Sequence, residues 1–218
     1  MNRPVFRTVC IIISALLLYP AIICSQELNP VKLLKPQLDK GMPLMQALNN
    51  RKTSREFSSE RIPLQVMSDL LWAAFGINRP ESEKRTAPSA VNRQEIDIYI
   101  ANADGLYLYD AKKHIMQPVL SKDIRAVTGT QSFVKDAAVN LIFVADYSKL
   151  GSSSDQQKEK ISWADTGFIS QNVYLFCASE GLATVVRGRV EREPLAKEMK
   201  LRPDQSITLT QTIGYPKK

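Results

Sequence analysis

Of 218 residues, 44% are hydrophobic and 23% charged, with 12 prolines, 9 glycines and 3 cysteines. That composition excludes a disordered, collagen-like or disulfide-dense chain and favours one globular domain. Lysine and arginine number 29 against 22 acidic residues, a net charge of +7, which suits nucleic acid, anionic lipid or a phosphorylated small molecule without choosing among them.

Residues 1–25 read as a secretory signal peptide. Arg3 and Arg7 form a positive n-region, Val9 to Leu18 is almost wholly apolar, and small or polar residues follow at Cys24 and Ser25. The apolar run falls short of the ~20 residues that usually span a bilayer, and Pro20 lies inside it. A retained anchor and a lipoprotein signal acylated at Cys24 are the alternatives. Cleavage after Ser25 would remove two cations and no acid, so +7 would become +5; the expected location is periplasmic or extracellular. Only Cys177 would then remain, so no intramolecular disulfide could form. There is no CxxC or HExxH, and the single His114 has no partner ligand nearby in sequence, so no metal site and no catalytic triad are expected. Cys177 reads as a buried structural thiol and His114 as a turn residue, leaving no side chain as an obvious catalyst.

Residues 26–42 form an extended arm broken by Pro30 and Pro36. A short helix is predicted over Pro43–Asn50, burying Leu44, Met45 and Leu48. A second runs from Pro63 to Phe75, with Leu64, Met67, Leu70, Leu71 and Ala74 at helical spacing and Gly76 as its stop. Residues 77–90, polar and proline-rich, read as a loop. From Glu95 the period changes to two: Ile96, Ile98 and Ile100 alternate as in a half-buried strand. Strands follow at Leu106–Tyr109 and Ile115–Val119, then a short helix from Ser121 to Val127. The apolar run Val139–Ala145 reads as a buried central strand. After a polar loop over 148–158, a long helix is predicted over Lys160–Glu180, capped by Gly181. Its Ile161, Phe168, Leu175 and Leu182 recur every seven residues, widened by Ile169, Val173 and Phe176, and face either the core or a dimer partner. Thr184–Val186 is a strand, Glu191–Leu201 a helix and Ser206–Ile213 a closing strand. The fold class is α+β, a mostly antiparallel sheet with helices around it, with the domain proper spanning residues 43–218.

Two polar segments could carry chemistry. Arg51-Lys52-Thr53-Ser54-Arg55 sets three cations and two hydroxyls just after a helix, a donor set suited to phosphate; a solvated basic turn is the bland alternative. Pro88-Ser89-Ala90-Val91-Asn92 precedes the first predicted strand, and Asn92 offers donors and an acceptor suited to a heteroaromatic edge. Aromatics are only 7% of the chain and do not interleave with the basic residues, so nucleic acid is not the expected partner.

Taken in this order, Arg51-Lys52-Thr53-Ser54-Arg55-Glu56-Phe57, then Pro88-Ser89-Ala90-Val91-Asn92-Arg93-Gln94, then Glu180-Gly181-Leu182, Val185-Val186-Arg187-Gly188 and Ile213-Gly214-Tyr215-Pro216, the chain resembles the nitroreductase family of flavoproteins. Leu70 to Arg79 and Arg85 to Ala90 are most similar to its SagB-type dehydrogenase branch. The resemblance implies FMN held in a homodimer, with a site at the subunit interface. It implies that Arg51, Lys52 and Thr53 meet the FMN phosphate, whose charge is close to −2, and that Arg55 reaches the pyrimidine edge or ribityl chain. Pro88, Ser89, Ala90 and Asn92 would approach from the other subunit, and Gln131 would reach the ring edge. Backbone N–H groups at Arg187 and Gly188 would face the flavin N5 and O4, and Lys217 falls where relatives place a further phosphate ligand. The implied activity is hydride transfer between a reduced donor, NAD(P)H or another, and a small organic acceptor. A non-catalytic flavin- or nucleotide-binding protein and a basic surface-interaction protein are the other readings.

Overall fold

The computed structural model describes residues 27–217; the proposed signal peptide and Cys24 lie outside them. Alternating side chains build a seven-stranded antiparallel sheet. Its strands are β1 (Val31–Lys32), β4 (Ile96–Ala101), β5 (Leu106–Asp110), β6 (Ile115–Leu120), β7 (Val139–Asp146), β8 (Ala183–Arg187) and β9 (Gln205–Gly214), in the order β1-β6-β5-β4-β7-β9-β8. β2 (Ile77–Arg79) and β3 (Lys84–Arg85) make a separate small hairpin. The helices are α1 (Leu44–Asn50), α2 (Leu64–Phe75), α3 (Asp155–Glu180) and α4 (Arg192–Glu198).

The period of two places Ile96, Ile98 and Ile100 of β4 beside Leu141, Phe143 and Ala145 of β7 on one face. There they meet Leu70, Leu71 and Phe75 of α2 and Ile169, Val173 and Cys177 of α3. Tyr99, Ala101, Ile142 and Val144 turn to the opposite face, under Leu195 and Met199 at α4. With both faces covered, all of β7 is buried, as its unbroken apolar run implies. The same cover corrects the half-buried expectation for β4, whose outer face is also interior.

Several other expectations change. α1 forms, but Leu44, Met45 and Leu48 stand 63%, 75% and 43% exposed and only Ala47 is buried. The 77–90 loop contains the β2–β3 hairpin. The helix expected at 121–127 is only a single 3-10 turn, Arg125–Val127. α3 starts five residues earlier than expected, at Asp155, because Ser154 caps it by accepting from Gln157 N–H; Gly181 ends it in the left-handed conformation, φ 70°. α4 is shorter than expected at both ends. The seven-residue stripe of α3 is divided: Ile169 and Val173 join the core, while Phe168 is 48% exposed.

The arm over residues 27–42 lies against α2 and α3. Leu34 N–H donates to Ser68 Oγ (2.9 Å), Gln37 N–H to Asp69 Oδ1 (2.9 Å) and Met42 N–H to Ser179 Oγ (2.8 Å). Lys40 bridges Asp69 and Glu180 at 2.9 and 3.1 Å. His114 sits in the β5–β6 turn with φ 50°. Its Nδ1 is 3.0 Å from the Tyr109 hydroxyl and its Nε2 is 2.9 Å from Leu34 O, so it fastens the arm.

Candidate functional site

α1 hands the chain directly to Arg51, and residues 51–57 then run extended along the exposed edge of β8. Ser54 N–H donates to Thr184 O at 3.0 Å, and Phe57 bridges to Pro216. This pairing brings Lys217 alongside Glu56, whose carbonyl accepts from Lys217 N–H at 3.4 Å. The basic segment 51–55 and Lys217, at opposite ends of the domain sequence, therefore meet at one sheet edge. Among the described residues, Arg51, Lys52, Arg55 and Lys217 form no ion pair. The Arg51 guanidinium carbon lies 5.5 Å from the centroid of the Tyr174 ring, close enough for a cation–π contact. Thr53 Oγ1 is 3.0 Å from the Tyr174 hydroxyl, which accepts from Val186 N–H, also at 3.0 Å. A cavity of about 380 Å³ opens beside them, lined by Asn50, Lys52, Ser54, Tyr174, Thr184 and Pro216 among others. Tyr174 is absent from the motif reading; it lay hidden in the apolar run of α3, where one polar ring gives no periodic signal.

The alternation of β8 decides which backbone groups face out. Thr184 O and Val186 N point away from β9, so the Arg187 N–H turns toward β9, its partner there being Thr210. Gly188, the next residue, lies just past β8 and is exposed. The Arg187 side chain is buried instead. It donates to Thr128 O (2.9 Å) and to Asn140 Oδ1 (3.1 Å), and its Nε has no partner among the described residues. Burial lowers its pKa to about 10, which still leaves it cationic at neutral pH. Gly129 permits this: a Cβ there would collide with the guanidinium. Gln131 lies alongside, half-buried, with Oε1 lacking a donor among the described residues.

The second segment sits near the other half of α3. Ala90 N–H donates to Asp165 Oδ2 (2.8 Å), and Gln94 N–H to Ser89 Oγ (3.0 Å). Asn92 Oδ1 accepts from Gln94 Nε2 at 3.1 Å, and Pro88 is exposed. Val91, Asn92 and Gln94 all have positive φ, 52°, 55° and 51°. For a β-branched residue this is unusual, costing on the order of 1–3 kcal/mol, and Val91 is 88% exposed, so no packing repays it. Glu95 is fully buried, with no donor for either carboxyl oxygen among the described residues. Burial, with the adjacent Asp165 carboxylate adding to it and Lys149 opposing it, pushes its pKa up to about 7. Asp165 and Tyr174 are nine residues apart on one helix, about 14 Å along its axis. One chain therefore does not bring residues 88–92 onto residues 51–55.

A model of the nitroreductase family matches residues 48–215. The chain belongs to the nitroreductase family. A crystal structure of a nitroreductase-type protein from Ralstonia eutropha JMP134 has a TM-score of 0.84 and 40% identity, covering 94% of this chain and 97% of that one. A nitroreductase-type protein of Methanocaldococcus jannaschii is 27% identical over 169 residues, 73% of this chain and 85% of its own. The fold also recurs in the E. coli microcin synthetase McbBCD complex solved with truncated pro-MccB17 bound, at TM-score 0.67 and 18% identity over 85% of this chain and 78% of that one. Nitroreductase-family proteins are typically flavin-dependent oxidoreductases. The donor set at the β8 edge fits a phosphate-bearing flavin: cations at Arg51, Lys52 and Arg55, without an ion pair among the described residues, and the Thr53 hydroxyl match an anion in charge and donor capacity. Among the described residues, no group of three His, Cys, Asp or Glu could hold a metal ion, and no helix is long and apolar enough to cross a membrane.

Proposed function

We propose that this nitroreductase-family chain is an exported, FMN-dependent oxidoreductase of the SagB-type branch that works as a homodimer. The observation that carries the cofactor is the basic edge of β8, where Arg51, Lys52 and Arg55 have no acidic partner among the described residues. FMN, when bound, would supply two-electron chemistry between a reduced donor, NAD(P)H or another, and a small organic acceptor. Arg51, Lys52 and Thr53 would bind its phosphate, with Lys217 beside them. Arg55 would hold the sugar or pyrimidine end. The N–H of exposed Gly188 would stabilise negative charge at the ring edge. The partner's copy of Pro88, Ser89, Ala90 and Asn92 would cover the ring and exclude water. Two features support the dimer: segments 51–55 and 88–92 lie apart in one chain, and α1 and α3 expose Leu44, Met45, Leu48 and Phe168, an apolar face of the kind that marks an interface. The branch assignment rests on residues 70–79 and 85–90.

Purified protein with this function is yellow or takes up added FMN, and its flavin absorbance bleaches anaerobically with a competent donor. A colourless protein that binds no FMN would rule the reading out. A yellow protein that no donor reduces would identify a flavin carrier.

A further inference from the structure

The hydroxyl of Tyr174 has two polar neighbours among the described residues, Val186 N–H at 3.0 Å and Thr53 Oγ1 at 3.0 Å. A backbone N–H can only donate, so Val186 occupies an acceptor position on the tyrosine oxygen. Tyr174 is buried, and its own hydrogen needs an acceptor there. Thr53 Oγ1 supplies one. The reverse arrangement, with Thr53 donating, would leave the buried Tyr174 O–H without an acceptor among the described residues, the costly state for a polar group. The chain of hydrogens therefore runs in one direction, from Val186 N–H to Tyr174 to Thr53.

We infer that Tyr174 is a positioning residue that fixes the Thr53 hydroxyl as an outward hydrogen-bond donor to an anionic phosphate group. Thr53 is exposed and flanked by Arg51 and Lys52, so its own hydrogen is left for an external acceptor. The face of the same tyrosine ring lies under the Arg51 guanidinium. One buried side chain thus acts on two members of the basic segment, ordering a neutral donor with its hydroxyl and steadying a cation with its ring. The hydroxyl chain begins at an outward N–H of β8, so donor polarity at the site is set by the sheet itself.

This inference rests on the FMN reading, and comparing FMN with riboflavin, which lacks the phosphate, separates the two. Affinities of both are measured by flavin fluorescence quenching for wild-type protein, Tyr174→Phe, Thr53→Val, Thr53→Ser and the Tyr174→Phe/Thr53→Val double variant. The preference for FMN over riboflavin should fall roughly tenfold in Tyr174→Phe and in Thr53→Val. Riboflavin affinity should hold, Thr53→Ser should keep the preference, and the double variant should be no worse than Thr53→Val. Equal weakening of both flavins in Tyr174→Phe, an unchanged preference, or additive losses in the double variant would overturn the inference. If circular dichroism shows that Tyr174→Phe does not fold, Thr53→Val decides: an unchanged preference overturns the donor assignment, and a loss that Thr53→Ser avoids upholds it. Wild-type protein that binds neither flavin overturns the flavin reading itself and this inference with it.

Discussion

At the residue scale, charge without a partner is the informative quantity. Arg51 has a ring beneath it and no described carboxylate beside it, so its guanidinium is available to a ligand at little desolvation cost. Arg51→Ala should weaken FMN binding roughly 10- to 100-fold, the loss of one charge-assisted contact, measured by equilibrium titration; an unchanged affinity would refute the phosphate assignment. Glu95 presents the opposite case, a buried acid whose carboxyl oxygens have no hydrogen-bond donor among the described residues. Its folded pKa, about 7, stands above the ordinary 4.5. The folded state therefore holds a proton that the unfolded chain releases between those values, and stability falls as pH rises from about 4.5 through 7. Thermal melts across that range should show the decline in wild-type protein, by up to roughly 3 kcal/mol, and a flatter profile in Glu95→Gln. Equal slopes would mean that Glu95 does not hold the proton. Residues such as Arg51, Thr53 and Asn92 stand out in the sequence as candidates because their types and spacing match a motif. Tyr174, Glu95 and Asp165 were not, because their roles arise from neighbours distant in sequence.

At the element scale, the longer strands are readable, while the two- and three-residue strands β1, β2 and β3 are not, and the helices are readable only in part. Alternation locates β4 and β9 and an unbroken apolar run locates β7, each within a residue or two, as are β5 and β6; alternation survives whichever face is buried. What periodicity could not tell was how many faces would be covered, and so β4 was underestimated. For α1 the error was larger. Its apolar residues were assigned to the core because an apolar stripe needs a partner, and a single chain supplies none for Leu44, Met45 and Leu48. The same holds for Phe168 on α3. A charge placed there should divide a dimer without unfolding its subunits. Phe168→Glu is expected to convert a species of twice the chain mass to the single mass in light scattering, with a melting temperature changed by only a few degrees. A variant that keeps the wild-type mass would place the interface elsewhere.

Considered whole, the molecule is a two-faced sheet whose β8 edge carries the cations and whose long helix α3 links that edge to the strained 88–94 segment. The α+β class follows from the hairpin strands and separate helices, and the structure bears it out. The arm over 27–42 was read as extended but not as bonded, because its anchors, Ser68, Asp69, Ser179 and His114, lie on distant segments. Cys177, the one cysteine among the described residues, is fully buried on α3 with its thiol pKa raised by that burial. In protein lacking residues 1–25 it is the sole thiol, and so a clock for opening. Alkylation should be very slow in native buffer, accelerate in denaturant and slow again with excess FMN, which would bind only the closed form. Rapid native labelling, read by mass spectrometry, would instead reveal that the junction of α3 and β8 breathes locally. A buried atom with no part in the chemistry can thus time how long the cofactor site stays shut.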